Sequence, residues 1–217
     1  MTKIEAALRD MLGPSVAVAV TDPRAQVDDL LPEEQAHIAR AIPKRRFEFA
    51  AGRRAARQAL AELGLPPSAI LQEADRAPIW PDGVTGSITH CDTLCIAALA
   101  PQHLYRSLGI DIEPATPLSA DLEAVIATPS ERRALAALPP AHRLHMAKQI
   151  FCAKEALYKA QYPVTGMRLG FQDVELDILH KQGLLWRNPP ATLACERALR
   201  IQIKTVDQMV LAACGLP

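Results

Sequence analysis

The stretch S-L-G-I-D-I-E-P, residues 107–114, ends an apolar run with two carboxylates one position apart. It reads as a strand stopped at Pro114, and side chains two apart on a strand share a face. Asp111 and Glu113 therefore stand side by side and repel unless a positive charge lies between them. Two readings are open at this point. One is a hard-cation site, since Mg²⁺ is held by one or two carboxylates together with substrate phosphate oxygens. The other is a half-exposed strand whose solvent face is acidic, the common situation for charged residues.

The chain around this stretch has 217 residues, 49% apolar and 22% charged, enough for one large globular domain or two small ones. Its formal net charge is zero. Nothing global argues for nucleic acid as a partner, so any electrostatic function must be local. No apolar run approaches the ~18 residues of a membrane helix, and the opening MTKIEAALRDMLG mixes both signs of charge, unlike a secretory leader. Five cysteines (Cys91, Cys95, Cys152, Cys195, Cys214) form no paired C-x-x-C framework, which argues against disulfides and structural zinc. A cytoplasmic setting without membrane attachment is expected.

Helices are expected over 3–12, 31–42, 46–63, 118–126, 130–138 and 144–162, the last ended by Pro163. Strands are expected at 16–21, in SITHCD and CIAALA after a PDGVTG turn (81–86), and at 107–113. Three more are expected in FQDVELDIL (171–179), ATLACERALRIQIKTV (191–206) and QMVLAACGL (208–216), the last two as a hairpin. An Arg-Arg-Ala helix ending in Leu-Pro-Pro occurs in each half, a hint of duplication. The class is α+β, with two lobes meeting near residues 100–106.

Three further segments carry chemistry. In QIFCAKEALYKA (149–160), Glu155 and Lys159 are four apart and share a helix face with Lys148 and Cys152. That is either a third carboxylate beside a proton donor or a surface ion pair. In KRRFEFAAGRRAAR (44–57), Arg45 and Arg53 lie eight apart, so both could face one anion. A solvated helix face and a short nucleic-acid contact are the other readings. In APIWPDGVTGSITHCD (77–92), a glycine turn offers backbone N–H groups to phosphate oxygens, with His90 close behind.

Taken in order, RRFEFAAGR, WPDGVTGSITHCD, LGIDIEP and FCAKEALYKA resemble the motifs of the Sfp-type 4′-phosphopantetheinyl transferases, in particular the EntD-like subgroup with siderophore-pathway and mycobacterial members. The resemblance covers roughly residues 40–175. It implies an α+β pseudo-dimer of two similar lobes, residues 1–105 for the coenzyme A nucleotide and 106–217 for metal and catalysis, with the nucleotide cleft between them. It implies Mg²⁺ or Mn²⁺ on Asp111, Glu113 and Glu155, with Glu155 and Lys159 catalytic. It implies coenzyme A contacts from Arg45, Arg53, Ser87, Thr89, His90 and Lys154, with Glu48 orienting the arginines. Relatives often carry a lysine shortly before the WPDG turn; this chain has Gln72 there, and Arg76 is the substitute. The expected partners are coenzyme A and an apo acyl or peptidyl carrier protein, and the expected state is a monomer. A Mg²⁺-dependent phosphoesterase acting on coenzyme A or nucleotides is the alternative use of the same acids.

Overall fold

A computed structural model describes residues 1–27, 29–177, 184–186, 188–191, 193 and 200–217. The elements in chain order are α1 (Lys3–Leu12), β1 (Ala17–Thr21), α2 (Pro32–Gln35), α3 (Pro43–Glu62), β2 (Leu71–Gln72), β3 (Pro78–Ile79), β4 (Val84–His90), β5 (Cys95–Pro101) and β6 (Ser107–Pro114). They continue with α4 (Ala120–Ile126), α5 (Pro129–Ala136), α6 (Pro140–Thr165), β7 (Leu176–Asp177), β8 (Leu184–Trp186), β9 (Arg200–Val206) and β10 (Met209–Leu216). The class is α+β. The chain forms two compact units, Met1–Leu108 with Pro217, and Gly109–Leu216, so the boundary falls inside β6.

In the first unit β4 and β5 form an antiparallel hairpin, and β1 pairs with the outer side of β5, giving the order β1-β5-β4. Helix α3 packs on this sheet through Ala55, Ala56, Ala59 and Leu60, which meet Ala17, Ala19, Ala97 and Leu99. Small residues on both surfaces let helix and sheet approach closely. In the second unit β9 and β10 form the hairpin, β6 lies beside β10, and β8 and β7 extend the far edge: β6-β10-β9-β8-β7. Asp207 and Gln208 make the hairpin turn, both at positive φ (48° and 62°), as a tight two-residue connection demands. Helix α6 covers this sheet through Ile150, Ala153, Ala156 and Leu157.

The two units repeat one plan, a first strand laid beside a later hairpin with the long helix across it. A buried glutamate marks the register of the repeat. Glu34 accepts two bonds from Arg57, and its carboxylate also takes the Ile70 N–H at 2.9 Å. Glu131 accepts from Lys154 at 2.7 Å and takes the Leu176 N–H at 2.7 Å. Each glutamate binds a cation 23 residues further along, and each also accepts the N–H three residues back, Leu31 or Thr128. The Arg-Arg-Ala…Pro-Pro likeness read from sequence does not mark this repeat, because its two copies lie on α3 and α5, whereas α3 corresponds to α6.

Several boundaries differ from expectation. The 31–42 helix is only one α-turn followed by a 3₁₀ turn (Ala36–Ile38); Pro43 then starts α3 and holds Ile42 extended. Helix α6 begins at Pro140 and continues past Pro163 to Thr165. A proline this close to the end removes one helical hydrogen bond, and Gly166 at φ 66° closes the helix by donating to Tyr162 O. The turn in PDGVTG is confined to residues 81–83, with Val84 N bonded to Pro81 O. Gly86 lies inside β4, where a Cβ would stand 2.2 Å from Leu99 Cδ2, so it answers to packing and not to a turn. Cys195, the end of the 171–179 strand and most of 191–199 lie outside the described residues.

Candidate active site

Strand β6 and helix α6 carry the acidic group. Gly109 makes their approach possible: a Cβ there would lie 1.8 Å from Ala156 O and 2.6 Å from Ala160 N. The two residues that follow place Asp111 against the helix. Lys159 Nζ donates to Asp111 Oδ1 at 2.7 Å and to Ile110 O at 3.2 Å. Asp111 is buried, at 6% exposure. Further along the same strand, Lys148 donates to Glu113 Oε2 at 3.0 Å. Ile112 is fully buried between the two acids and fixes the strand to the core.

Glu155 lies between these lysines along the helix face. Burial pushes its carboxyl above the usual range; Lys159 pulls it back, while Asp111 and Glu113 push it further up. Glu155 thus feels the charge of both strand carboxylates. Burial also pushes the Cys152 thiol well up, with Asp111 adding to it, so this cysteine is inert. A cavity of about 380 Å³ opens beside Glu155, lined among others by Tyr158, Gln161, Arg168, Leu169 and Phe171.

The donor set fits a hard divalent cation: carboxylate oxygens only, with mutual repulsion that a cation relieves. Among the described residues, however, no three acidic, His or Cys side chains close around one ion as they stand. Two ammonium groups hold the acids instead. Asp111, Glu113 and Glu155 are therefore brought to one strand–helix pair in a lysine-neutralised arrangement.

The basic group belongs to the first unit. Arg45 Nη1 lies 3.2 Å from His90 Nε2 and 3.4 Å from Glu48 Oε2. Its side chain is 40% exposed against 12% for Glu48, so Glu48 pairs with Arg45 while leaving it open to solvent. Arg53 behaves differently. It is 6% exposed, its ring-stacked guanidinium sits 3.8 Å over Phe49, and it donates to Ile70 O and Leu71 O. Burial pushes it down to about 10, with the charges of Arg45 and Arg57 adding and Glu34 opposing. The two arginines are near enough to repel, but Arg53 anchors the β2–β3 hairpin as well.

Three other expected residues, Lys154, Ser87 and Thr89, are buried. Lys154 spends its three protons on Ile126 O, Glu131 Oε2 and Phe171 O, and is 3% exposed. No ammonium proton is left for a coenzyme phosphate, so its role is to tie α6 to α5 and the segment after it. Ser87 and Thr89 are buried, at 3% and 4%, and alternate along β4 with Ile88 and exposed His90. They therefore point to the opposite strand face from His90. Arg76 is exposed at φ 74°, in the turn that Arg76 N closes on Glu73 O.

Residues 33–100 match the 4′-phosphopantetheinyl transferase N-terminal domain, and residues 107–214 match the 4′-phosphopantetheinyl transferase superfamily. The 4′-phosphopantetheinyl transferase Svp of Streptomyces mobaraensis is 48% identical over 170 residues, 76% of this chain and 69% of Svp. The chain belongs to the 4′-phosphopantetheinyl transferase superfamily. The transferase Npt of Nocardia iowensis is 46% identical over 67% of this chain and 64% of its own length. Enterobactin synthase component D of Escherichia coli (strain K12) is 36% identical over 65% and 66%. The chain thus spans about two thirds of the length of these relatives. The comparisons support the transferase reading and lend nothing to the phosphoesterase alternative.

The sequence reading missed Lys148 as the partner of Glu113, although it shares the helix face of Glu155 and Lys159. It also missed the cavity, which joins Glu155 and Tyr158 of the helix motif to Arg168, Leu169 and Phe171, residues of no motif. Tyr158, Arg168 and Phe171 come together only because the chain after Gly166 turns back along α6.

Proposed function

We propose that this transferase moves the 4′-phosphopantetheine group of coenzyme A onto a serine hydroxyl of an apo carrier protein. The serine Oγ–P bond forms, the pyrophosphate P–O bond breaks, and 3′,5′-ADP leaves. The observation that carries the reading is the set of three carboxylates on β6 and α6 with the Lys159 ammonium on Asp111.

Asp111, Glu113 and Glu155 would hold Mg²⁺ or Mn²⁺, which supplies charge neutralisation at the pyrophosphate when bound. Glu155 takes the serine proton; burial raises its basicity toward the range where a carboxylate acts as a base. Lys159 offsets charge on the departing phosphate. Arg45 and His90, held by Glu48, take the nucleotide phosphates, and Arg53 supports them from its buried position. Arg76 is the proposed stand-in for the lysine that Gln72 replaces. The cavity beside Glu155 suits the pantetheine arm, amide-bearing but largely apolar, with Tyr158 and Phe171 as walls and Gln161 and Arg168 as polar contacts. Likeness to enterobactin synthase components favours carriers of siderophore, non-ribosomal peptide or polyketide synthases over a fatty-acid carrier. The free cysteines Cys91, Cys95 and Cys152 fit a reducing cytoplasm. No described helix is long and apolar enough to cross a membrane. A monomer is the proposed working form.

The test is incubation with coenzyme A, Mg²⁺ and a panel of apo carriers, read by mass. A phosphopantetheinyl mass gain with release of 3′,5′-ADP is expected. Coenzyme A consumed without carrier modification, or no mass gain on any carrier, overturns the reading.

A further inference from the structure

The repeat locates what is special about Lys148. Six residues before the cation that binds the buried glutamate, α3 has Ala51 and α6 has Lys148. On the first strand of each unit, the residue that meets this helix position is Thr21 in β1 and Glu113 in β6. In the first unit the contact at this place is neutral: Thr21 Oγ1 donates to Ala51 O at 2.8 Å. In the second it is ionic, Lys148 to Glu113 at 3.0 Å. The cation occurs in the copy that has the acid.

The Lys148 side chain is only 13% exposed, and its ammonium lies 5.8 Å from the centroid of the Phe151 ring. Packing therefore holds it on Glu113, unlike a surface lysine that samples solvent. Lys159 does the same for Asp111, but that lysine has the transfer reaction to serve. Lys148 has no role in the proposed chemistry.

We propose that Lys148 is a tethered counter-ion that occupies Glu113 in the metal-free protein, so that a divalent cation must displace it to bind. The inference rests on the metal-site reading given above. An ammonium beside Glu113 repels an incoming dication and competes for its oxygen. Removing it should strengthen metal binding even though a contact is lost.

The experiment is a Mn²⁺ titration of the full chain, with free Mn²⁺ followed by its electron paramagnetic resonance sextet and no carrier protein present. Lys148→Met keeps the stem over Phe151 and removes the charge. It should bind Mn²⁺ about three- to tenfold more tightly than the unaltered protein, whereas Lys148→Arg, which keeps the charge, should not. Lys148→Gln gives the same reading should the Met variant lose its cooperative thermal transition. Unchanged or weaker Mn²⁺ binding in the charge-free variants overturns the counter-ion role and leaves the metal site standing. Absence of Mn²⁺ binding to the unaltered protein and to the charge-free variants alike, with and without coenzyme A, overturns both.

Discussion

The first unit and the second share a plan but not a chemistry. Where the second has Asp111, Glu113, Lys148, Glu155 and Lys159, the first has Ala19, Thr21, Ala51, Gln58 and Glu62 at the corresponding positions. The first keeps its charges at the start of its long helix, where Arg45 and His90 stand exposed. The second keeps them half-buried along the helix face against β6, Asp111 fully buried. The same scaffold thus presents either an open basic surface or a half-buried acidic one, according to a handful of side chains. What both copies retain, the glutamate joined to a helix cation and a distant N–H, is the part that belongs to folding.

The sharpest test of this division lies at the acids. Asp111→Ala or Glu155→Ala should lower carrier modification by about 10³-fold or more, the scale for loss of a principal electrostatic contribution; product mass against time measures it. Activity within tenfold of the unaltered protein would break the assignment of chemistry to the second unit.

The shared glutamates come next. Glu131→Gln leaves the Lys154 ammonium buried without its counter-charge, and about 3–5 kcal/mol of stability should be lost in urea unfolding. Glu34→Gln should cost less, because the Arg57 side chain is 12% exposed against 2% for Lys154. The reverse order would show that the two are not equivalent fixtures.

Glycine substitutions sharpen the comparison further. Gly109→Ala drives a Cβ into backbone of α6 and should cost about 2–3 kcal/mol. Gly52→Ala meets only Ile88 Cγ2, at 3.1 Å, and should be near neutral.

The smallest effect is electrostatic. A carboxyl raised by folding favours the folded state at acid pH, and that advantage is lost as pH rises through the raised value. Glu155 therefore weighs against metal-free stability above the ordinary glutamate pKa of about 4.3. Glu155→Gln should raise the neutral-pH Tm of the metal-free protein by about 1–3 °C and flatten its pH dependence above that value. A lowered Tm at neutral pH contradicts the sign.

Much of this was legible in sequence because it is local. The strand at 107–114, the helix face of Glu155 and Lys159, and the Arg45–Glu48 spacing each follow from the period of one element. What stayed hidden depends on partners far along the chain. Nothing near Lys154 reveals that Glu131 and two carbonyls claim its protons. Gly86 and the adjacent turn look alike in sequence, yet one answers to Leu99 and the other to backbone curvature. Ser87 and Thr89 share a motif with His90, but strand pleating sends them the other way. Pro163 signals a stop, and the helix passes it because one missing bond near an end is tolerable.

The glutamate bonds to Ile70 and Leu176 also give each half its own isotope clock. Both N–H groups sit inside carboxylates that are themselves 0% and 2% exposed, away from water. Their deuterium uptake requires the glutamate, its helix cation and the receiving segment to separate together. Two single amides therefore time the opening of two halves, and matching or diverging rates distinguish one cooperative molecule from two.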